Sequence, residues 1–460
     1  MADHTVLVWQ MPGGFSGEDQ HRLAHHRLGL ILRQRMGSAA PRVTHETGPV
    51  DDVAARCTSP THRPSVLVLP TFRDHLWRSL EAVERLAACC PNLPILLSGW
   101  GSDPDYVEAV LQGRPIAHPR VALARGEAEE ALVDAADIVL RSETHPVDAL
   151  ETAGLAIPDP VGGWRSRGAF RTVKDLARLP SPYLDGTLRP EDFGGCVLVE
   201  VARGCLFRCH FCLSCNYPDQ RPRPFPTSRI LEEIAFTADH HAESVGLLCS
   251  ALNYDVDVIE AVAGALEAIP PERRPVVEST VNPALLDERR LRAVMRIPWR
   301  RMIVGLQSTN PDALAVMHRH VDLAAFRSSI EQIARVHTPV VELILGLPGD
   351  TLEGFLGTMR FVLDLPVDVE VYPLRLDPGS LFMRDREALG IEADFSNQGR
   401  VGQTATFPRD ALMRAEQTLV ELGRRPWRYR ARRLGFDFAL VHDTRAGRGD
   451  RPMRSRFHPS

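Results

Sequence analysis

Val201-Ala202-Arg203-Gly204-Cys205-Leu206-Phe207-Arg208-Cys209-His210-Phe211-Cys212 follows directly on an apolar run, Cys196 to Val201, that reads as a β-strand. It sets three cysteines in one tight loop. Three thiolates can hold three irons of a cubane cluster and leave the fourth iron open to chelation, which an electron-donating cluster needs if it is to reduce what it binds. The competing reading is structural zinc, with Cys215 as fourth donor of a tetrahedral site. His210 reads as a bystander rather than a ligand.

Downstream, apolar runs recur at Ser244 to Cys249, Val276 to Ser279, Met302 to Leu306, Val340 to Leu345 and Val369 to Tyr372, with helical segments between. Together with Cys196 to Val201 they make six βα units and predict a partial (β/α)6 barrel over residues 193–385. Such a barrel keeps its reactive centre at the C-terminal ends of its strands, and the cysteine loop falls at the end of the first. A structural zinc loop has no reason to sit there, which favours the cluster.

Upstream, strands at Val6 to Trp9, Ser65 to Leu69, Ile95 to Ser98 and Val121 to Ala124 alternate with helices at His21 to Arg35 and His75 to Cys90, and from about Asp105 and about Glu127. This α/β alternation predicts a doubly wound parallel sheet over residues 1–150. Its ligand crevice lies at the strand ends, Pro70-Thr71-Phe72, Ser98-Gly99-Trp100-Gly101 and Arg125-Gly126-Glu127. Residues 151–192, rich in Pro and Gly, read as a linker. Residues 386–460 read as a small C-terminal region that closes the barrel mouth, with one helix at about Arg409 to Leu422. Beyond that helix Arg424, Arg425, Arg428, Arg430, Arg432 and Arg433 interleave with Trp427 and Tyr429. A basic run with aromatics can bind nucleic acid, but one short run on an acidic chain is more often a solvated or internally paired face.

Composition narrows the class without naming it. A chain of 460 residues supports two or three packed domains, and 44% hydrophobic with 25% charged residues is ordinary for a globular protein. A formal net charge of -5 offers no field for nucleic acid or an anionic membrane. Neither a secretory leader nor a long apolar span is visible. Nine cysteines, four of them between 205 and 215, do not resemble a disulfide framework. A reducing cytoplasm and a metal or cluster site fit better.

On Glu200-Val201-Ala202-Arg203-Gly204-Cys205, Gly305-Leu306-Gln307-Ser308-Thr309-Asn310-Pro311, Leu345-Gly346-Leu347-Pro348-Gly349-Asp350-Thr351 and Tyr372-Pro373-Leu374-Arg375-Leu376-Asp377-Pro378-Gly379, the chain resembles the radical S-adenosylmethionine (SAM) superfamily. Within it, the resemblance is to enzymes with an N-terminal Rossmann-like cobalamin-binding domain. It implies a [4Fe-4S] cluster on Cys205, Cys209 and Cys212, with the SAM amino and carboxylate groups on the open iron. One electron, from a donor such as flavodoxin or ferredoxin, then splits the sulfonium into methionine and a 5'-deoxyadenosyl radical. By the same resemblance Gln307 and Ser308 face the ribose and methionine portions, while Gly346 and Leu347, with Tyr372, Pro373 and Leu374, line the adenine. Where many members carry a Gly-Gly-Glu-like motif, the second strand here ends Cys249-Ser250-Ala251-Leu252-Asn253, so Ser250 and Asn253 join the SAM contacts. Glu278 is the candidate partner of the amine, the alternative being an ion pair with an arginine. Gly346, Gly349 and Gly379 also admit a plain reading as turn residues needing positive φ.

In the N-terminal sheet the resemblance implies that Pro70, Thr71, Ser98, Gly99, Trp100, Gly101, Gly126 and Glu127 surround cobalamin, small residues admitting its nucleotide tail. The Asp-x-His-x-x-Gly motif that gives cobalt a histidine in other corrinoid proteins is absent. A degenerate domain that binds nothing is the alternative. The expected function is a cobalamin-dependent radical SAM methyltransferase acting on an unactivated carbon, less often phosphorus, of a small metabolite in natural-product biosynthesis. Two alternatives stand beside it. One is a radical enzyme of the same fold that rearranges, cyclises or oxidises without methyl transfer; the other is a zinc-stabilised nucleic-acid-binding protein.

Overall fold

Valine and leucine runs bounded by turns build the first sheet of the protein. A computed structural model describes residues 4–11, 18–116, 118–141, 150–151, 155–165, 168, 170–193, 195–216, 221–422, 429–434 and 437–442. Strands β1 (Thr5–Gln10), β2 (Arg42–Thr47), β3 (Val66–Pro70), β4 (Ile95–Ser98) and β5 (Val121–Ala124) lie parallel in the order β2-β1-β3-β4-β5. Every residue of β3, β4 and β5 is buried, as a parallel sheet covered on both faces requires. The chain leaves β1 to one side for β2 and returns to the other for β3, so the topological switch lies between β1 and β3.

Strand β2 and the Val50–Thr58 helix after it were not expected from sequence. β2 reads Arg-Val-Thr-His-Glu-Thr and is partly exposed along its length, because an edge strand needs no apolar run to bury. The stretch expected as a linker over 151–192 belongs, through Arg189, to this first unit, together with Asp377–Gly379 and Phe395–Gln398. Leu155 and Ile157 are buried in its core, and Ala156 bridges Leu123 of β5. A short apolar triplet among prolines and glycines was enough to extend the sheet's edge.

The second unit comprises Pro190–Leu376, Ser380–Asp394 and Gly399–Ser460. Its strands are β6 (Cys196–Glu200), β7 (Ala202–Arg203), β8 (Arg223–Pro224), β9 (Ser244–Leu248), β10 (Val276–Thr280), β11 (Trp299–Gln307), β12 (Val340–Leu345), β13 (Asp368–Pro373), β14 (Glu392–Asp394), β15 (Arg400–Gln403), β16 (Tyr429–Leu434) and β17 (Asp437–His442). β6 and β9 to β13 pair in parallel and in chain order, which is the expected six-strand open barrel. In β10 and β13 burial alternates residue by residue, one face packed and the other half-open. An antiparallel hairpin, β17 and β16, extends the sheet beyond β13 and was also not expected. Of the arginine-rich run, residues 424–428 and the side chains of 429–433 lie outside the described residues.

Candidate active site around the cysteine loop

The loop after β6 turns at Gly204, whose φ of +91 and close approach to the Arg221 carbonyl oxygen, 2.7 Å from where a Cβ would stand, leave no place for a side chain. Glu200 holds the turn from below by accepting two hydrogen bonds from Arg203, at 2.9 and 3.1 Å. Beyond it, each of three cysteine sulfurs accepts an N–H bond. Phe207 N donates to Cys205 Sγ at 3.4 Å, Ser214 N to Cys212 Sγ at 3.5 Å, and the Arg319 guanidinium to Cys209 Sγ at 3.5 Å. Hydrogen bonds to the sulfurs are among the levers that set a cluster's potential. Cys215, buried like Cys209, has its thiol pushed upward from the ordinary range by burial. Among the described residues no group of three or more His, Cys, Asp and Glu side chains is gathered to hold a single metal ion. The thiolates of a cubane go to separate irons, so three sulfurs on one loop are the donors it needs. The donor set of Cys205, Cys209 and Cys212 fits the cluster.

His210 is a brace. Its N–H donates to Met317 O at 3.0 Å, its carbonyl accepts from Phe382 N at 3.0 Å, and its ring stacks on His318 at 5.2 Å and 4°. Burial and the neighbouring His318 hold its pKa below the usual value, so the ring is neutral. The brace fixes the cysteine loop to the turn that carries Arg319.

That turn reaches the tip of β11. Arg319 donates to the Gly305 carbonyl as well as to Cys209, while its Nε is buried without a partner. The Gln307 amide folds back over Gly305, where any Cβ would stand 2.6 Å from Nε2. Gln307 has φ +74, a conformation that costs a non-glycine residue about 1–3 kcal/mol unless its surroundings over-determine it. In register with Gly305 on β12 stands Glu342, which has no ion-pair partner within 4 Å among the described residues and whose pKa burial pushes up to about 7. Cysteine sulfur, guanidinium and carboxamide thus gather at the end of β11, while the Glu342 carboxyl lies near Arg301 and Glu370.

Glu342 gives a pH dependence with a definite sign. Its folded pKa is raised, so the native state keeps a proton the unfolded chain gives up, and its stabilising effect is complete below about pH 4.5 and lost as pH rises to about 7. Over that window the urea midpoint of the wild type should fall more steeply than that of Glu342→Gln. Equal slopes would show the carboxyl to be solvated.

Several residues expected at the cofactor have other partners. Ser308 is buried and its hydroxyl donates to Asp350 at 3.4 Å. Asn253 is buried and exchanges two 2.9 Å hydrogen bonds with the backbone of Asn282, tying the ends of β9 and β10 together. Ser250 is half-buried. Glu278 pairs with Arg300 at 3.1 Å, the alternative weighed for it. Gly346 has φ +87 with Leu412 packed against it, and Leu347 is wholly buried. Tyr372 is half-buried and donates to Glu370 at 2.5 Å, Glu370 being ion-paired with Arg301. Pro373 and Leu374 are buried, Leu374 N donating to Leu345 O at 2.8 Å.

At the strand ends of the first unit, Pro70, Thr71, Ser98, Gly99, Gly101, Gly126 and Glu127 are buried and Trp100 is half-buried. Ser98 Oγ bonds His25 at 2.8 Å, Thr71 Oγ1 bonds Ser102 at 2.6 Å, and Glu127 accepts from Val173 N at 2.5 Å. Gly101 packs on the Thr71–Phe72 backbone, Gly126 on that of Arg171, and Trp100 lies against Phe170. The side chains of Ser98, Thr71 and Glu127 are thus bonded within the unit.

Residues 199–362, which take in the three cysteines, Gln307, Arg319 and Glu342, match the radical SAM superfamily. The chain carries a radical SAM domain. It is 26% identical over 396 residues to the cobalamin-dependent radical SAM methyltransferase TokK of Streptomyces tokunonensis, covering 76% of this chain and 55% of that one. To 2-(S-pantetheinyl)-carbapenam-3-carboxylate methyltransferase of Streptantibioticus cattleyicolor it is 26% identical over 358 residues, covering 72% and 49%. The chain thus spans about half the length of these relatives. Its fold is similar to that of TsrM from Kitasatospora setae, a radical SAM methyltransferase solved with cobalamin and a [4Fe-4S] cluster. That likeness has a TM-score of 0.63 at 13% identity and covers 85% of this chain and 77% of TsrM.

The sequence reading passed over Arg319, which joins Cys209 to the end of β11, and Glu342, a half-buried carboxyl on β12. Arg319 sits between His318 and His320 after the Asn310-capped helix Pro311–Val316, and an arginine flanked by histidines nine residues past a cap was the available signal. Glu342 interrupts the apolar run of β12, which marks a strand with one face turned to something polar. Among the described residues no helix is long and apolar enough to cross a membrane.

Proposed function

We propose that this protein is a cobalamin-dependent radical SAM methyltransferase acting on an unactivated carbon of a small natural-product metabolite. The observation that carries the radical SAM part is the set of three sulfurs, each accepting an N–H bond, with the half-buried Arg319 guanidinium as one of the donors. When bound, the cluster supplies the electron that splits SAM into methionine and a 5'-deoxyadenosyl radical, and cobalamin supplies the methyl group. Cys205, Cys209 and Cys212 hold the cluster. The Arg319 guanidinium, beside Cys209 Sγ, pairs with the methionine carboxylate, the one anion SAM brings to the open iron, and the Gln307 amide takes an adjoining polar group. Residues 386–460 cover the substrate. A one-electron donor such as flavodoxin or ferredoxin, in a reducing cytoplasm, completes the system.

Cobalamin and methyl transfer are supported by TokK, by the carbapenam methyltransferase and by the cobalamin-bound fold neighbour. Pro70, Thr71, Ser98, Gly99, Trp100, Gly101, Gly126 and Glu127, at the strand ends of the first unit, are the residues that would surround cobalamin. The bonding of Ser98, Thr71 and Glu127 within the unit favours a second reading, a radical SAM enzyme that rearranges, cyclises or oxidises its substrate without methyl transfer. Anaerobic reconstitution with iron, sulfide and hydroxocobalamin, followed by reduction in the presence of SAM, separates the two. The methyltransferase yields 5'-deoxyadenosine together with S-adenosylhomocysteine and retains cobalamin through gel filtration. Production of 5'-deoxyadenosine alone, with no cobalamin retained, establishes the second reading.

A further inference from the structure

Gln307 cannot hold its left-handed backbone unaided, and the residues that follow it show what does. Thr358, wholly buried on the Leu352–Leu363 helix, accepts the Thr309 N–H at 2.9 Å and bonds the Thr309 hydroxyl at 2.9 Å and the Ser308 hydroxyl at 3.4 Å. Asp350, wholly buried in the turn after β12, accepts from Asn310 Nδ2 at 2.8 Å, from Thr351 N at 2.8 Å and from Ser308 at 3.4 Å. Ser308 in turn accepts the Asn310 N–H at 3.0 Å. Gly354 lies against both Asn310 Nδ2 and Asp350 Oδ1, and a side chain there would collide with each. Every polar side chain from 308 to 310 is therefore bonded to the turn or the helix that follows the next strand.

We propose that Ser308, Asn310, Asp350 and Thr358 are a positioning network that holds Gln307 at positive φ and so aims its amide at bound SAM. This rests on the SAM reading of the site. The role differs from contact: Ser308, expected to touch the cofactor, acts through the backbone of its neighbour.

The test uses the full chain with its cluster reconstituted. Thr358→Val keeps the shape and removes the hydroxyl; Thr358→Ser restores it. In Thr358→Val, amide hydrogen exchange over residues 307–312 should speed up by about tenfold, and SAM affinity, by anaerobic equilibrium dialysis, should fall by about tenfold, the effect of one lost hydrogen bond with release of a strained residue. Iron content should not change, and Thr358→Ser should return both readouts to within about twofold of wild type. Asn310→Ser, which keeps the helix cap but loses Asp350, should reproduce both changes and serves if Thr358→Val does not fold. In a Gln307→Gly background, where the backbone is unstrained, Thr358→Val should weaken SAM no further. Additive losses in that double variant, or unchanged exchange in the single one, overturn the network. Faster exchange in a protein whose wild type binds no SAM leaves the network standing and sinks the SAM reading instead.

Discussion

Cys205→Ala, Cys209→Ala and Cys212→Ala are each expected to lose nearly all reconstituted iron and all SAM cleavage, while Cys215→Ala keeps both. Each of the first three removes a thiolate that the loop has already supplied with an N–H donor. Without one ligand the cubane has no stable seat, so iron should drop from about four per chain to near zero. Cys215 lies three residues beyond Cys212, and burial pushes its thiol upward, which disfavours its thiolate. The measurement is anaerobic reconstitution with iron and sulfide analysis, read beside the yield of 5'-deoxyadenosine. Equal iron loss in all four variants would make a four-cysteine metal site the better account.

That outcome bears on how far the sequence can be read. Cys196 to Cys212 was legible because the chemistry is local: an apolar strand, then three sulfurs within eight residues of one another. Strands β3, β4 and β5 were legible for the same reason, each being an unbroken apolar run buried on both faces. β2 was not, because an edge strand such as Arg42–Thr47 keeps polar side chains and has no pattern to distinguish it from a turn. Leu155, Ala156 and Ile157 were hidden by the prolines and glycines around them, although three apolar residues suffice to bridge and cover β5.

The motif around Gln307 marks the end of β11, but not what each residue there does. Ser308 and Asn253 are of types that bind cofactors, and both are bonded inside the fold instead. The difference is decided by partners 42 and 29 residues away, Asp350 and Asn282, which local spacing does not reveal. Gly101 and Gly126 present the same ambiguity: a missing side chain admits a ligand or a neighbouring backbone equally well, and here the backbone of Thr71–Phe72 and of Arg171 takes the space.

Arg319 is the extreme case, since its sulfur partner is 110 residues away, and replacing it carries the second large expected effect. Its guanidinium has two commitments, Cys209 Sγ and the Gly305 carbonyl, and leaves Nε buried and unpartnered. The guanidinium charge beside the loop that would hold the cluster is what an anion there would pair with. SAM brings one carboxylate, and the open iron that chelates it belongs to the cluster Cys209 helps to hold. Arg319→Met, of similar length but uncharged, should therefore weaken SAM by about thirtyfold to a hundredfold, the range of a charge-assisted hydrogen bond in a dry site. Arg319→Lys should recover part of that loss, since an ammonium restores the charge without the planar fork that reaches sulfur, carbonyl and carboxylate at once. Cluster loading should survive in both variants, because Cys209 keeps its place through the His210 contacts with Met317 and His318. Anaerobic equilibrium dialysis on iron-loaded protein reads the affinity directly. Wild-type affinity in Arg319→Met would reduce Arg319 to a brace between β11 and the cysteine loop, and would move the carboxylate to another group in the barrel.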